Sequence, residues 1–406
     1  MKRLFLTVVS MLFAAGATAQ VVETPVVTKT GITLYDTSMR RTEIVLPKMK
    51  GYNTYKADFH VHTIYSDGEV TPRERIREAW YDGLDIIAIT DHLEKRTYEK
   101  FMLKALEPYS KGGKPFVYAH AGAGNKTDKD APMLANLNAG YEEALYIIEK
   151  ESIPIMAIRG TEIWRDPSVT GEYNAIFLKD INAICHKDLF ECFRRVKEQG
   201  GIIIHNHPGW SRKSMEMSED QKRAYGEGWV DGVEVVNNTV LYPQMIDRCV
   251  SENLFISAST DVHRPSSQTW APGCGIFRTM TFVFAKECSE KAIKEALLKR
   301  RTIGYSANNL VGEEVWLEEF LNSAVECKVV TENAKGERVF SLTNTCSIPF
   351  LLRRGSRVYT LNPFESVSVS LGKDRSNGNY LAPLFTIDNM WTVGDKHPQF
   401  TIKIDR

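Results

Sequence analysis

The chain has 406 residues, of which 43% are hydrophobic and 25% charged, with 51 acidic and 51 basic side chains. That composition is ordinary for a globular protein and long enough for one large domain plus a smaller one. A formal net charge of zero lacks the basic excess of a general nucleic-acid or membrane-surface binder, so no nucleic-acid duplex is expected as a partner.

The chain opens on a targeting segment. Lys2 and Arg3 make a basic start, the run from Leu4 to Ala15 is apolar, and Ala17-Thr18-Ala19 fits a cleavage pattern before Gln20. A membrane span needs roughly 20 apolar residues, so this run is too short for one, and no cysteine follows it to carry a lipid. Residues 1–19 therefore read as an export signal, with the mature protein periplasmic or secreted, and residues 20–50 as an N-terminal arm. The cysteines number seven, lie scattered and form no Cys-x-x-Cys, which speaks against a disulfide scaffold. Cys185 and Cys192 read as buried apolar positions of a helix.

From residue 51 short apolar runs alternate with helix-like stretches: "ADFHVH", "LDIIAIT", "IPIMAIRGTEI", "GGIIIHNH", "GVEVVNN", "LFISAST" and "MTFVFA". Runs that are apolar throughout suit strands of a parallel sheet covered by helices. Between the first two, Thr71-Pro72-Arg73-Glu74 is a capping box with proline at the first helical position. Ile76, Ala79 and Trp80 line one face of that helix, and Gly83 can stop it. Strand, helix, strand, repeated, predicts a βα barrel or an open doubly wound sheet. From about residue 313 the segments become short, alternating and turn-separated ("VECKVV", "RVFSLTN", "PFLLRR", "ESVSVSL", "QFTIKID"), which predicts a small antiparallel β-sandwich over 313–406.

Side chains alternate along a strand, so Asp58, His60 and His62 share one face of "DFHVH". A solvated sheet face would explain that strand alone. The other strands extend the pattern: they end in Asp91 and His92, near Glu162, in His205 and His207, and in Asp261 and His263. Six histidines thus lie at the C-terminal ends of buried strands, where active sites form in βα architectures. Together with Asp67, Glu162 and Asp261 they exceed what packing explains, since buried charges need partners. Imidazoles and carboxylates without thiolates suit zinc, manganese or iron, and their number points to two or three adjacent divalent ions.

In order, His60-Val61-His62, Ser66-Asp67-Gly68, Thr90-Asp91-His92, Gly160-Thr161-Glu162, His207-Pro208-Gly209 and Asp261-Val262-His263 resemble the polymerase and histidinol phosphatase (PHP) domain over about residues 51–312. "NAIFLKD" and the β-like tail are similar to exported PHP phosphodiesterases that act on organic phosphate diesters. The resemblance implies a distorted seven-stranded βα barrel with a metal site at its C-terminal rim. It implies His60, His62, Glu162 and Asp261 around one ion, Asp67, His92 and His263 around a second, and Glu162 bridging to His207 at a third. Where the family has a histidine shortly before "NAIFL", this sequence has Glu172, a candidate oxygen ligand for the third position. His205 is additional to the pattern: an acid for the leaving group, a phosphate contact or a structural histidine.

Lys95, Arg96, Arg165, Arg212, Lys213 and Arg264 follow the motifs closely, and cations beside metals suit a phosphate. With 51 Lys and Arg in 406 residues such neighbours are common; Lys95, Arg165 and Arg264 are taken as candidate substrate contacts. Trp164, Trp210 and Trp270 either wall a pocket or pack in the core. The expected reaction is hydrolysis of a small phosphate ester, a diester first, by a metal-activated hydroxide, with Asp261 as a candidate to take its proton. Two other readings stay open: metal-dependent hydrolysis of a non-phosphate ester or amide, and non-catalytic metal or glycan binding. The oligomeric state is not legible.

Overall fold

Strand β1 (Asn53–Asp58), helix α1 (Pro72–Tyr81) and strand β2 (Ile86–Ile89) follow one another as the sequence pattern predicts, in a computed structural model that describes residues 40–96, 136–164, 169–210, 213–374 and 376–405. The export signal, residues 20–39 of the arm, Arg165 and Arg212 lie outside the described residues. Thr71 caps α1 by accepting the Glu74 N–H. The second half of the capping box differs: the Glu74 carboxylate accepts the Thr71 hydroxyl at 3.1 Å. Pro72, Ile76, Ala79 and Trp80 are buried, and Gly83 adopts a φ of +92° beyond the helix end.

The chain continues through α2 (Ala139–Glu151), β3 (Met156–Trp164), β4 (Glu172–Ile176), α3 (Leu189–Glu198), β5 (Ile202–His205), α4 (Glu219–Gly226), β6 (Gly232–Asn237), β7 (Val240–Leu241), α5 (Pro243–Ser251) and β8 (Phe255–Ser259). It then forms β9 (Met280–Ala285), α6 (Glu290–Leu298), β10 (Thr302–Ser306), β11 (Asn309–Val311) and α7 (Glu314–Ala324). Every residue of β2, β5, β6, β8 and β9 is buried, as strands covered on both faces must be. Helix α3 shows how the cover is made: it buries Leu189, Phe190, Cys192, Phe193 and Val196, and Asp188 caps its first turn. Cys185 and Cys192 are both buried, but only Cys192 lies in α3; Cys185 precedes it.

The tail comprises β12 (Val325–Glu332), β13 (Arg338–Asn344), β14 (Phe350–Arg354), β15 (Arg357–Leu361), β16 (Ser366–Leu371), β17 (Leu384–Ile387), β18 (Met390–Trp391) and β19 (Gln399–Thr401). Its small antiparallel sheets run β12-β13-β16 and β15-β14-β17-β19. One apolar cluster joins them to the rest of the chain: Phe282 of β9 stacks on Phe320 of α7 at 5.8 Å, and Phe320 meets Phe350 of β14 at 6.4 Å.

The expected seven-stranded barrel needs correction. The large sheet is a curled half-barrel with eleven strands in one path, β18-β11-β10-β9-β1-β2-β3-β4-β5-β6-β7, and β8 paired with β6 beside it. The excess comes from the short strands β4, β7, β10, β11 and β18, which carry too few apolar residues to stand out in sequence. Strands β9, β10 and β11 extend the sheet beyond β1, and β18 adds a piece of the tail parallel to β11. Among the described residues no helix is long and apolar enough to cross a membrane.

Candidate metal centre

The curl brings the two ends of the sheet's parallel part together just past their last paired residues. The Asp261 N–H donates to the His60 carbonyl at 2.9 Å, and the His62 N–H to the Val262 carbonyl at 3.1 Å. These bonds splice the extension of β1 against the extension of β8. A second bridge sets His92, beyond β2, beside Glu162 of β3.

His60 and His62 point inward with their Nε2 atoms 3.0 Å apart. Glu162 Oε2 lies 3.4 Å from His60 Nε2 and 3.3 Å from His62 Nε2. Asp261 Oδ1 lies 3.3 and 3.2 Å from the same two atoms. A tetrahedral ion with ligands at about 2.0–2.1 Å has ligand–ligand edges of roughly 3.3–3.4 Å. The distances from both histidines to Glu162 and to Asp261 match such edges, and His60, His62 and Asp261 lie close enough together to share one ion.

Two further groups adjoin this one. Asp67 Oδ1 lies 3.2 Å from His263 Nε2, 3.5 Å from His92 Nε2 and 3.6 Å from His62 Nδ1, and Lys95 pairs with the other Asp67 oxygen. Glu162 Oε1 faces His207 Nε2 at 3.3 Å, so its two oxygens serve different groups. Three groups lie within metal-binding reach: His60, His62 and Asp261; His60, Glu162 and His207; and His62, Asp67, His92 and His263.

Electrostatics agree with a cation site. Burial lowers the proton affinity of His62, but Asp261 and Glu162 outweigh it and hold its pKa at about 10. His207 is likewise held at about 9 by Glu162, Asp261 and Glu172 against burial, and His60 is raised well above the ordinary value. Burial raises the carboxyls of Asp67, Glu162 and Asp261, yet the surrounding histidines leave all three well below the usual range. The cluster demands positive charge, and divalent cations can supply what protons otherwise supply.

Two sequence-predicted residues stand apart. His205 joins none of these groups: its Nδ1 meets the Tyr225 hydroxyl at 2.7 Å, its Nε2 faces Gln221 of α4 at 3.3 Å, and its ring stacks on Tyr173. The two-residue spacing fails because β5 ends at His205 and His207 has a φ of +24°, which breaks the alternation. Burial and the nearby His207 push the His205 pKa down to about 3. Glu172 begins β4 and faces His207 Nδ1 at 3.4 Å, the ring nitrogen opposite the one that faces Glu162. It supports the imidazole from behind and lies outside the three groups. Arg264 is mostly exposed and turns to Glu69 at 3.3 Å. Trp270 is buried and Trp210 exposed.

Sequence reasoning passed over the supports. Asp91 accepts from the Thr63 N–H, the Thr63 hydroxyl and the Ser66 hydroxyl at 2.6–2.7 Å, which folds the loop carrying Asp67. Fully buried Arg75 donates to the carbonyls of His62, His263 and Arg264 at 3.0–3.1 Å. Asn206 donates to Glu162 Oε1 at 2.7 Å. Glu234 lies buried in β6. A charge inside an otherwise apolar stretch was the available signal for Glu234, within "GVEVVNN", whereas Arg75 sits among the charges of "PRERIREAWY" and carried no such signal.

Residues 58–203 match the PHP domain family. The chain is similar in structure to a two-domain protein of Bacteroides vulgatus containing a predicted PHP-like metal-dependent phosphoesterase. The two are 31% identical, the match covers 90% of this chain and 99% of that one, and the TM-score is 0.75. An uncharacterised Methanocaldococcus jannaschii protein is 45% identical over 47 residues, 12% of this chain, which spans only 22% of that relative's length. A more distant likeness, at 15% identity and a TM-score of 0.39 over 68% of this chain and 63% of the other, is to endonuclease Q in complex with a 27-mer duplex carrying an abasic lesion at the active site. The expectation of no duplex partner does not stand. The expectation rested on net charge, which sums the whole chain and does not report the local field at a rim.

Proposed function

Because this chain belongs to the PHP domain family, we infer that it is a metal-dependent phosphoesterase and, more narrowly, a phosphodiesterase. The observation that carries the reading is the close approach of Glu162 and Asp261 to both His60 Nε2 and His62 Nε2, at 3.2–3.4 Å, with further donors against them. Residues His60, His62, Glu162 and Asp261 would hold one divalent ion, Asp67, His92 and His263 a second, and Glu162 with His207 a third. Such ions, manganese, zinc or iron, polarise a phosphoryl group and make water nucleophilic near neutral pH.

The chain's own groups do the rest. Asp261 is the more accessible carboxylate of the first group, with Oδ1 toward His60 and His62 and Oδ2 toward Asn237 at 3.4 Å. Oδ2 is the atom placed to accept a proton from an attacking water. Lys95 and Arg264 each already answer a carboxylate, so the positive charge facing a phosphate diester would come mainly from the ions. We further take residues 1–19 as an export signal, the location as periplasmic or extracellular, and residues 313–406 as a support for stability or access.

The test is to strip the protein with a chelator, reload it with manganese, zinc or iron, and assay p-nitrophenyl phosphate, bis-p-nitrophenyl phosphate, p-nitrophenyl acetate and a duplex oligonucleotide. Diester turnover by the loaded protein alone supports the proposal. Turnover of the acetate without either phosphate substrate or the duplex overturns it.

A further inference from the structure

We propose that Glu234 is a positioning residue that couples two metal positions: it sets which ring nitrogen His60 offers and holds the backbone that aims His207. The inference rests on reading the cluster as a metal centre.

Glu234 sits in the middle of β6 and is 1% exposed. Its Oε1 lies 2.8 Å from His60 Nδ1. Its Oε2 accepts from the His207 N–H at 2.9 Å and from Asn237 Nδ2 at 3.1 Å. An ionised carboxylate only accepts hydrogen bonds, so His60 must carry a proton on Nδ1. In the neutral ring that leaves the Nε2 lone pair aimed at His62, Glu162 and Asp261, where an ion fits.

The second oxygen acts on the other position. A histidine at a φ of +24° is in a backbone region that persists only when its surroundings hold it. The N–H that Glu234 accepts is His207's own. The same oxygen binds Asn237, whose amide also reaches Asp261 Oδ2 at 3.4 Å. One carboxylate therefore ties together His60, His207 and, through Asn237, Asp261.

Glutamine has the same shape and cannot do both tasks. With its carbonyl toward His60, its NH2 group confronts two donors, the His207 N–H and the Asn237 amide. With its NH2 toward His60, it requires an acceptor at Nδ1, which moves the ring proton to Nε2 and blocks the ion. Loss of such an outer partner typically costs 10–100-fold in metal affinity.

The experiment uses the full chain, stripped and then titrated with zinc against a chromophoric chelator, with elemental analysis after dialysis. Glu234→Gln should bind zinc 10–100-fold more weakly than wild type and retain fewer ions. Long-range 1H–15N spectra of the histidine rings in zinc-loaded wild type should show His60 protonated at Nδ1 and bare at Nε2. That spectrum decides the point even if the variant does not fold. His60 protonated at Nε2 in loaded wild type, or a folded variant with wild-type affinity and stoichiometry, overturns the proposal. Wild type that takes up no metal overturns it together with the metal reading. Neither readout involves substrate, so failure of the phosphoesterase assignment stays separate.

Discussion

His60 Nε2 and His62 Nε2 face each other across 3.0 Å with both side chains fully buried. Two imidazole lone pairs do not approach so closely without positive charge between them, either a proton or a metal ion. In the metal-free protein His62 and His207 are held at about 10 and about 9, so both carry a proton at neutral pH.

Metal uptake must therefore expel protons. At pH 7 loading the stripped protein should release at least about one proton per chain, and the release should fade as the pH is raised past 10. Calorimetric titration with zinc in buffers of different ionisation enthalpy measures it. A buffer-independent heat would show that the ligands are already unprotonated.

The same shifts set the alkaline stability of the stripped protein. A histidine raised on folding stabilises fully below its unfolded pKa of about 6.5 and loses that contribution as the pH rises through its folded value. Melting of the chelated protein should fall between pH 6.5 and 10. Metal-loaded protein should fall much less, because the ion replaces the proton. Parallel melting curves for the two forms would contradict the electrostatic account.

Ligand and support should separate by mutation. His60→Ala removes an atom of the first group, and diester hydrolysis should fall at least about a hundredfold. Glu172→Ala removes only the contact behind His207 and should cost about tenfold. Equal losses would place Glu172 among the ligands. Metal content of both variants, taken after identical dialysis, accompanies the rates.

His205 is a buried neutral histidine with its pKa near 3. Below about pH 6.5 the unfolded chain takes up a proton there that the folded chain refuses, so stability falls with acid. His205→Gln should reduce the loss of unfolding free energy between pH 6.5 and 4.5 by about 1.4 kcal/mol per pH unit, with metal content unchanged. Denaturant titrations across that range read it. A drop in bound metal would return His205 to the site.

Phe320 connects the tail to the sheet, stacked on Phe282 and set against Phe350. Phe320→Ala should destabilise the protein by about 3–5 kcal/mol while leaving zinc per folded chain unaltered. Chemical denaturation with elemental analysis tests both halves. Lost metal in a still folded variant would mean the tail helps to shape the site.

Most strands of the site were legible because "LDIIAIT" and "GGIIIHNH" are apolar enough to declare burial on both faces. Strand β4 was not, since "EYNAI" mixes polar and apolar residues and is buried only because β3 and β5 flank it. Glu234 was visible as a charge in apolar surroundings and Arg75 was not, and the site residues that both hold lie on other segments.

The sequence by itself determined the donors and their placement at strand ends, because side-chain chemistry and the two-residue period of a strand are local properties. Only the tertiary structure decided which donors meet. The curl that brings residue 60 to residue 261 is set by the packing of the whole sheet. Positive φ values at His207 and Asp261 turn their side chains where no alternation rule would put them. His205, two residues from His207 and of the same chemistry, was left facing a helix for that reason.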